Sequence, residues 1–493
     1  MSKVAVIYQN SAEYPNKNTL FRPHMQYPEY PFGEDLSSYR NDVYEMIREG
    51  FYHLGYDNEN YGTKQWNPLG HIIKPDDNVL LKPNMVMDIN LGGEGIECLY
   101  TQPCVVAAII DYVVIALKGK GKIIVGDAPM QECAFDRLTN EAGYCDLISY
   151  YQMKGTNIEL VDFRELTSIV KDGIHYSTIN ANSKGTVIDL AGDSEFAVYN
   201  EEYLKKMRIT NYDPRILTTH HTAAKNEYYI SDYVLAADVV INMPKPKTHR
   251  KAGVTIALKN MVGINVRKEY LPHHTVGDKS SGKGDEYLEK NIVKIIRGKI
   301  LDCLNIYTAE KKYRMAKVAR FFYHICCAFS RFADDHYAEG SWYGNETICR
   351  TIADLNKILI YADKNGKLCD NQQRKTLIVA DMIISGEKEG PVCPSPKQVG
   401  IIAIGENAVH FDEVISKLMG ADISRIPTLR VAKKTYGKYK LSDPNDKIHI
   451  LSNDIRWSNK DLSQLGSEDL LYYEPTSGWS EVFFKKGERL DAN

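Results

Sequence analysis

Seven short apolar runs recur along the chain: Val4 to Tyr8, Asn78 to Leu81, Lys122 to Val125, Ile158 to Val161, Asp238 to Ile241, Thr376 to Ala380 and Gly400 to Ile404. Runs this short and continuous suit strands buried on both faces, as in a parallel sheet. Between them lie patterns of helical period, such as Pro103 to Leu117 and Glu413 to Met419, with a further helix expected between Ser37 and Leu54. The alternation predicts an α/β fold: a mostly parallel sheet covered by helices and joined by right-handed crossovers.

The pattern changes between residues 271 and 370. A polar, glycine-rich loop, PHHTVGDKSSGKGDEY, precedes a stretch that reads as mainly helical. There Met315, Val318, Phe322, Ile325, Phe329 and Phe332 fall at steps of three and four, which places them on one helix face. Lys311, Lys312, Arg314, Lys317, Arg320 and Arg331 decorate it. The favoured packing lays that face on the helix's own domain, although a basic amphipathic helix also suits a membrane surface or a partner.

The expected organisation has four parts. Residues 1–78 form an N-terminal strand and extension, and 79–270 with 371–425 form the α/β core. Residues 271–370 form a polar loop plus helical insertion. Residues 426–493 form a C-terminal tail that docks on the core through Tyr472, Tyr473, Trp479, Phe483 and Phe484.

Function becomes legible in the residues just past each strand. Leu80-Leu81 runs into Lys82-Pro83-Asn84, Ile124-Val125 into Gly126-Asp127, Val161 into Asp162, and Val379-Ala380 into Asp381. The strand at 238–241 runs into MPKPKTHRK, which brings Lys245, Lys247, His249, Arg250 and Lys251. A second apolar run, Val254 to Leu258, ends in Lys259-Asn260. In open α/β sheets, ligands bind beyond the carboxyl ends of the strands. One polar strand end means little, because loops are polar. Five ending in lysine, asparagine, aspartate or histidine favour a shared site.

Lys82, Lys245, Lys247 and Lys259 are expected to neutralise an anion there, and Asn84 and Asn260 to orient it. Asp127 and Asp381 hold magnesium or act as base, and His249 transfers a proton. On this reading Lys247→Ala abolishes ligand binding without unfolding the protein. His273 and His274 are further acid–base or ligand candidates.

Composition narrows the partners. A formal net charge of −3, with 43% hydrophobic and 25% charged residues, gives no global reason to expect nucleic acid or an anionic membrane. The opening MSKVAVIYQNS reads as a strand rather than a signal peptide, and no run of about 18 apolar residues predicts a transmembrane helix. The ten cysteines are scattered without a CxxC pair, which favours a reduced, cytoplasmic chain.

Six segments occur in an order that resembles the domain-of-unknown-function family numbered 362. They are LLKPNMV at 80–86, GDAP at 126–129, INMPKPKTH at 241–249, ALKNMVGI at 257–264, ADMIISGEKEGPV at 380–392 and NAVHFDEVISKLMG at 407–420. Asp412 stands at the family's aspartate position. The resemblance spans Val79 to Met419 and implies an α/β domain, in a family without an assigned activity. Some relatives carry ferredoxin-like cysteine motifs and are described as iron–sulfur proteins. This chain has no closely spaced cysteine set.

The expected function is a cytoplasmic enzyme acting on a small phosphorylated or carboxylated substrate. Its site is a lysine, aspartate and histidine cleft at the strand ends. One alternative is a non-catalytic binding or scaffold protein whose lysine loop grips an acidic partner, in which case the basic helix at 311–332 matters more than the strand ends. Another is an iron–sulfur or other metal-centre protein. The sequence sets neither an oligomeric state nor a role for the insertion.

Overall fold

The structure is a computed structural model and describes residues 1–330 and 337–487. Eleven strands build one central sheet. They are β1 (Ser2–Tyr8), β2 (Asn78–Pro83), β3 (Lys122–Asp127), β4 (Ile158–Asp162), β5 (Val239–Met243), β6 (Lys247–His249), β7 (Gly253–Thr255), β8 (Lys375–Glu389), β9 (Cys393–Gly405), β10 (Ile448–Ser452) and β11 (Lys460–Asp461). Their order is β11-β10-β1-β9-β8-β5-β2-β3-β4, with β6 paired to β7 and β8. The run from β8 through β5, β2 and β3 to β4 is parallel throughout. All seven apolar runs lie in this mostly parallel sheet.

The helices that cover the sheet or bear on the site are α1 (Asp42–Leu54), α2 (Pro103–Leu117), α3 (Ala257–Asn260), α4 (Ile292–Ala309), α5 (Tyr313–Ser330), α6 (Ile348–Tyr361) and α7 (Ala408–Leu418). Local chemistry sets their ends. The Asn41 side chain accepts from Tyr44 N to start α1, and Gly55, at φ 84°, stops it. Pro103 opens α2, where its missing N–H would have had no partner.

Strand residues alternate between two buried faces. Ala5, Ile7, Val79, Leu81, Ile123 and Val125 pack with α1 and α2 on one side. Val4, Val6, Ile378 and Ala380 pack with α6 and α7 on the other, and Leu80, Ile124 and Val240 continue that side of the sheet. A sheet covered on both faces explains why its strands read as unbroken apolar runs.

The packing redraws several expectations. Asp381 is not at a strand end: β8 runs on to Glu389 and pairs with β9 as a long antiparallel hairpin. That hairpin absorbs Gly386, so SGEKEGPV is mostly strand rather than flexible loop. The tail supplies β10, parallel to β1, and buries Tyr473, Trp479 and Phe483 in the core. Helix α6, placed by sequence in the insertion, is a core helix whose Ile352, Leu355 and Ile358 are fully buried. What stands off the core is the α4–α5 hairpin. In α5 the expected apolar face is turned outward: Ala316 and Ala319 are buried, whereas Met315, Val318, Phe322, Ile325 and Phe329 are exposed. Arg331 and Phe332 lie outside the described residues. Among the described residues no helix is long and apolar enough to cross a membrane.

Candidate functional site

In the order β5-β2-β3-β4, the chain leaves β2 toward β3, whereas β5 returns on the other side of β2. Segments following β2 and β5 therefore diverge, and a crevice opens beyond their carboxyl ends. A cavity of ≈ 200 Å³ lies there. It is smaller than the ~300–1,000 Å³ of drug-sized ligand sites, which suits a small molecule. Its walls come from Asn84 and Val86 after β2, Asp127 to Glu132 at the end of β3, and His249 to Lys251 between β6 and β7. Further lining comes from Lys259, Asn260, Val262, Gly263, Lys268, His273 and residues 209–212.

Four cations line this cavity: Arg250, Lys251, Lys259 and Lys268. Lys251 Nζ donates to Thr210 Oγ1 at 3.0 Å, and Lys268 Nζ to the Ala128 carbonyl at 2.7 Å. The Lys259 ammonium forms neither a hydrogen bond nor an ion pair with any described residue. Burial, reinforced by the Lys82 ammonium and partly offset by Asp127, brings Lys259 down to about 8. Burial likewise lowers Lys268 to about 7 and Lys251 to about 8. Each ammonium is therefore poised to be stabilised by an arriving anion.

Behind this wall lies a closed polar network. Lys82 Nζ is 2.7 Å from Asp127 Oδ1, and both side chains are buried. The same ammonium donates to Asn260 Oδ1 at 3.1 Å. Asp127 also accepts from Met85 N and Ala128 N. Asn260 uses all four of its hydrogen-bonding positions: it accepts from Lys82 and Asn84, and donates to the Lys82 carbonyl and to Asn242 Oδ1. Lys247 Nζ donates to Asn84 Oδ1 at 2.8 Å and to the Leu99 carbonyl at 2.6 Å. Among the described residues no carboxylate pairs with it, and burial lowers it to about 7. Asp412 on α7 accepts from Ala257 N and Leu258 N at the start of α3, which fixes the segment carrying Lys259 and Asn260.

The two cavity histidines have opposite proton placements. His249 Nδ1 accepts from Lys251 N at 3.0 Å and Ala252 N at 3.1 Å, so its proton is on Nε2. His273 Nδ1 lies 2.8 Å from the Leu271 carbonyl, which only accepts, so Nδ1 carries the proton and Nε2 the lone pair. Burial first, then surrounding cations, hold both well below the usual histidine range. Two neutral imidazoles result, one a donor and one an acceptor at the ring nitrogen left free.

Of the nine residues singled out from sequence, Asn84, Asp127, His249, Lys259 and Asn260 line the cavity. Lys82 and Lys247 belong to the network behind it. Lys245 and Asp381 form a separate buried cluster: Asp381 accepts from Lys245 Nζ at 2.9 Å, from Tyr14 Oη at 2.6 Å and from Gln102 N at 2.9 Å. The expected magnesium pair does not fit this arrangement. Asp127 and Asp381 have separate partner sets, and each already accepts from an ammonium and from backbone amides. Among the described residues no three histidine, cysteine, aspartate or glutamate side chains gather as a metal site. His274 lies in a short strand pairing with Arg208, away from the cavity lining. Sequence reasoning did not single out Lys268 or Thr210: neither comes directly after a strand of the central sheet, and both arrive through irregular segments.

Comparison with known proteins gives three findings. The model of a family described as Domain of unknown function (DUF362) matches residues 79–186 and 163–417, which together span more than half of the chain. A thylakoid-associated protein of Synechocystis sp. is 28% identical over 220 residues, covering 45% of this chain and 49% of that protein. The chain thus spans about half the length of that curated relative. No solved structure matches.

Proposed function

The chain belongs to the DUF362 family, and from that footing we propose that it binds a small phosphorylated or carboxylated molecule in the cavity beyond β2 and β5 and carries out proton transfer on it. The observation that carries this reading is Lys259, a cavity-lining ammonium without a partner among the described residues. Arg250, Lys251 and Lys268 surround the same space. Leaving a cation unpaired in a partly buried place is costly, so such a group is best accounted for by a ligand that completes it.

The roles come from proton placement. Lys259 with Lys251, Lys268 and Arg250 neutralises the anion. His249 donates through Nε2–H to an oxygen on which negative charge develops. His273, whose Nε2 keeps its lone pair, is the proton acceptor. Lys82, Asp127, Asn84, Asn260 and Lys247 hold the wall in place, and Asp412 positions α3. No magnesium is needed in this scheme, because both carboxylates proposed for it are engaged by lysines. The scattered spacing of the ten cysteines, without a CxxC pair, favours a reducing compartment such as the cytoplasm.

A thermal-shift and calorimetric screen with sulfate, phosphate, phosphate monoesters and dicarboxylates tests the reading. A ligand at a hundredfold excess over its dissociation constant stabilises by about 2.7 kcal/mol. The expected result is binding by wild type and loss of binding in Lys259→Ala. Anions that bind both proteins equally would sink the proposal. The alternative of a scaffold without chemistry rests on the outward apolar face of α5, and is distinguished by anion binding that leads to no turnover of any bound compound.

A further inference from the structure

Helix α5 is held to the protein by its less apolar side. Ala316, Ala319 and Ser330 are buried, Tyr313 packs on Tyr176 with ring centroids 4.6 Å apart, and Tyr323 Oη donates to Glu339 Oε1 at 2.9 Å. Met315, Val318, Phe321, Phe322, Ile325 and Phe329 face solvent, with Phe321 63% and Phe329 62% exposed. At 3.6 residues per turn these six occupy an arc of about 120°. Scattered exposed apolar residues need no explanation, but a contiguous patch of large ones marks an interaction surface.

The charges say what kind of surface. The helix sequence YRMAKVARFFYHICCAFS contains Arg314, Lys317 and Arg320 and no carboxylate, and Lys311 and Lys312 precede it. Arg314 lies within the apolar arc and Lys317 at its margin, where long side chains keep their charge at a polar boundary while their stems lie on apolar surface. We propose that α5 is an in-plane anchor for an anionic lipid bilayer. The six apolar side chains would enter the acyl boundary, Arg314 and Lys311 would meet lipid phosphates, and Lys317 and Lys312 would exchange their present partners, Asp172 at 3.1 Å and Glu310 at 2.8 Å, for them. Eighteen residues of helix are about 27 Å long, enough to lie in the interface. A second copy of the chain fits poorly. A twofold mate would bring the same face, with Arg314 and Lys317 and no acid on the helix to pair with them.

The anchor also connects to the cavity. Glu339, which accepts from Tyr323, accepts from Thr210 Oγ1 at 2.8 Å, and Thr210 in turn accepts from Lys251 Nζ. Seating α5 therefore bears on one of the cavity's cations.

Flotation of the full chain with vesicles of phosphatidylcholine containing phosphatidylglycerol, and with phosphatidylcholine alone, tests the proposal. Wild type is expected to bind the anionic vesicles about tenfold more tightly than the neutral ones, and less so as salt rises. Phe321→Ser/Phe329→Ser and, separately, Arg314→Glu/Lys317→Glu are each expected to lose about tenfold in binding with unchanged thermal melting. The charge-reversal pair keeps the test open should the phenylalanine pair misfold. Absence of flotation, equal binding to both vesicles, or variants that bind like wild type overturns the proposal. So does a dimer in lipid-free buffer, or a complex with an acidic peptide in place of lipid, that the same variants abolish.

Discussion

Lys82 and Asp127, 2.7 Å apart across β2 and β3, form a buried ion pair against the backbone of Gly263. A Cβ at Gly263 would overlap Asp127 Oδ1 and press on Lys82 Nζ, so only glycine fits there. Removing one partner of such a pair strands the other charge, at about 3–5 kcal/mol. Asp127→Asn is therefore expected to lower unfolding free energy by that order in urea titrations. Gly263→Ala is expected to lower it too, by forcing the pair apart. If Asp127→Asn melts like wild type, the Lys82 amine is neutral in the folded protein and the pair is a hydrogen bond.

Lys247 and Lys259 are expected to respond in opposite ways. Lys247 is wholly buried and donates to Asn84 and Leu99, so Lys247→Ala orphans two acceptors and leaves a void. The expected loss is about 2–4 kcal/mol. This reverses the sequence-based expectation that Lys247→Ala would spare stability. The Lys259 ammonium satisfies no group among the described residues, so Lys259→Ala is expected to leave stability unchanged within about 0.5 kcal/mol, or to raise it, while sulfate binding is lost. Paired denaturation and calorimetry on both variants decide between the assignments. A destabilised Lys259→Ala that still binds sulfate would make that lysine structural.

Binding should also depend on pH in a direction set by the lysines. Burial depresses Lys259 from its ordinary value to about 8, so its ammonium is present below that pH and lost above it. The Lys259 contribution to anion affinity is then nearly full at pH 7 and falls as pH rises through 8, by on the order of tenfold between pH 7 and 9 for that single proton. Lys251 and Lys268, at about 8 and about 7, add to the fall in the same direction. Sulfate is the probe of choice, because its own charge is constant over that range. Calorimetric affinities that stay flat or rise from pH 7 to 9 would exclude the lysines as the anion's partners.

The sequence made the fold legible because the sheet is buried on both sides. Its strands had to be continuous apolar runs, and β1, β2, β3, β4, β5, β8 and β9 each contain one. The hairpin continuation of β8 was hidden by Gly386 and the charged Glu387 to Glu389, which read as loop. β10 and the edge strand β11 carry too much polarity to stand out. For the site, strand-end logic reached Asn84, Asp127, His249, Lys259 and Asn260, all of which line the cavity. It could not separate Lys82, Lys245 and Lys247, whose partners Asp127, Asp381 and Asn84 are distant in sequence from them. Nor could a helical wheel tell which side of α5 packs inward: the period shows that a face exists, not what covers it.

His249 and His273 offer a check on the chemistry that needs no substrate. Two backbone amides aimed at Nδ1 of His249 hold its lone pair there, whereas the Leu271 carbonyl holds a proton on Nδ1 of His273. Burial and the neighbouring cations, Lys259 and Arg250 for His249 and Lys251 for His273, disfavour a second proton on either ring. Long-range nitrogen–proton correlation spectra are thus expected to show His249 as the Nε2–H tautomer and His273 as the Nδ1–H tautomer, both neutral at about pH 6.5, where an ordinary histidine is half charged. Added sulfate should shift the His249 Nε2–H signal if that group donates to the anion. Two imidazoliums at that pH, or the same tautomer at both positions, would remove the donor–acceptor pair on which the proposed proton transfer depends.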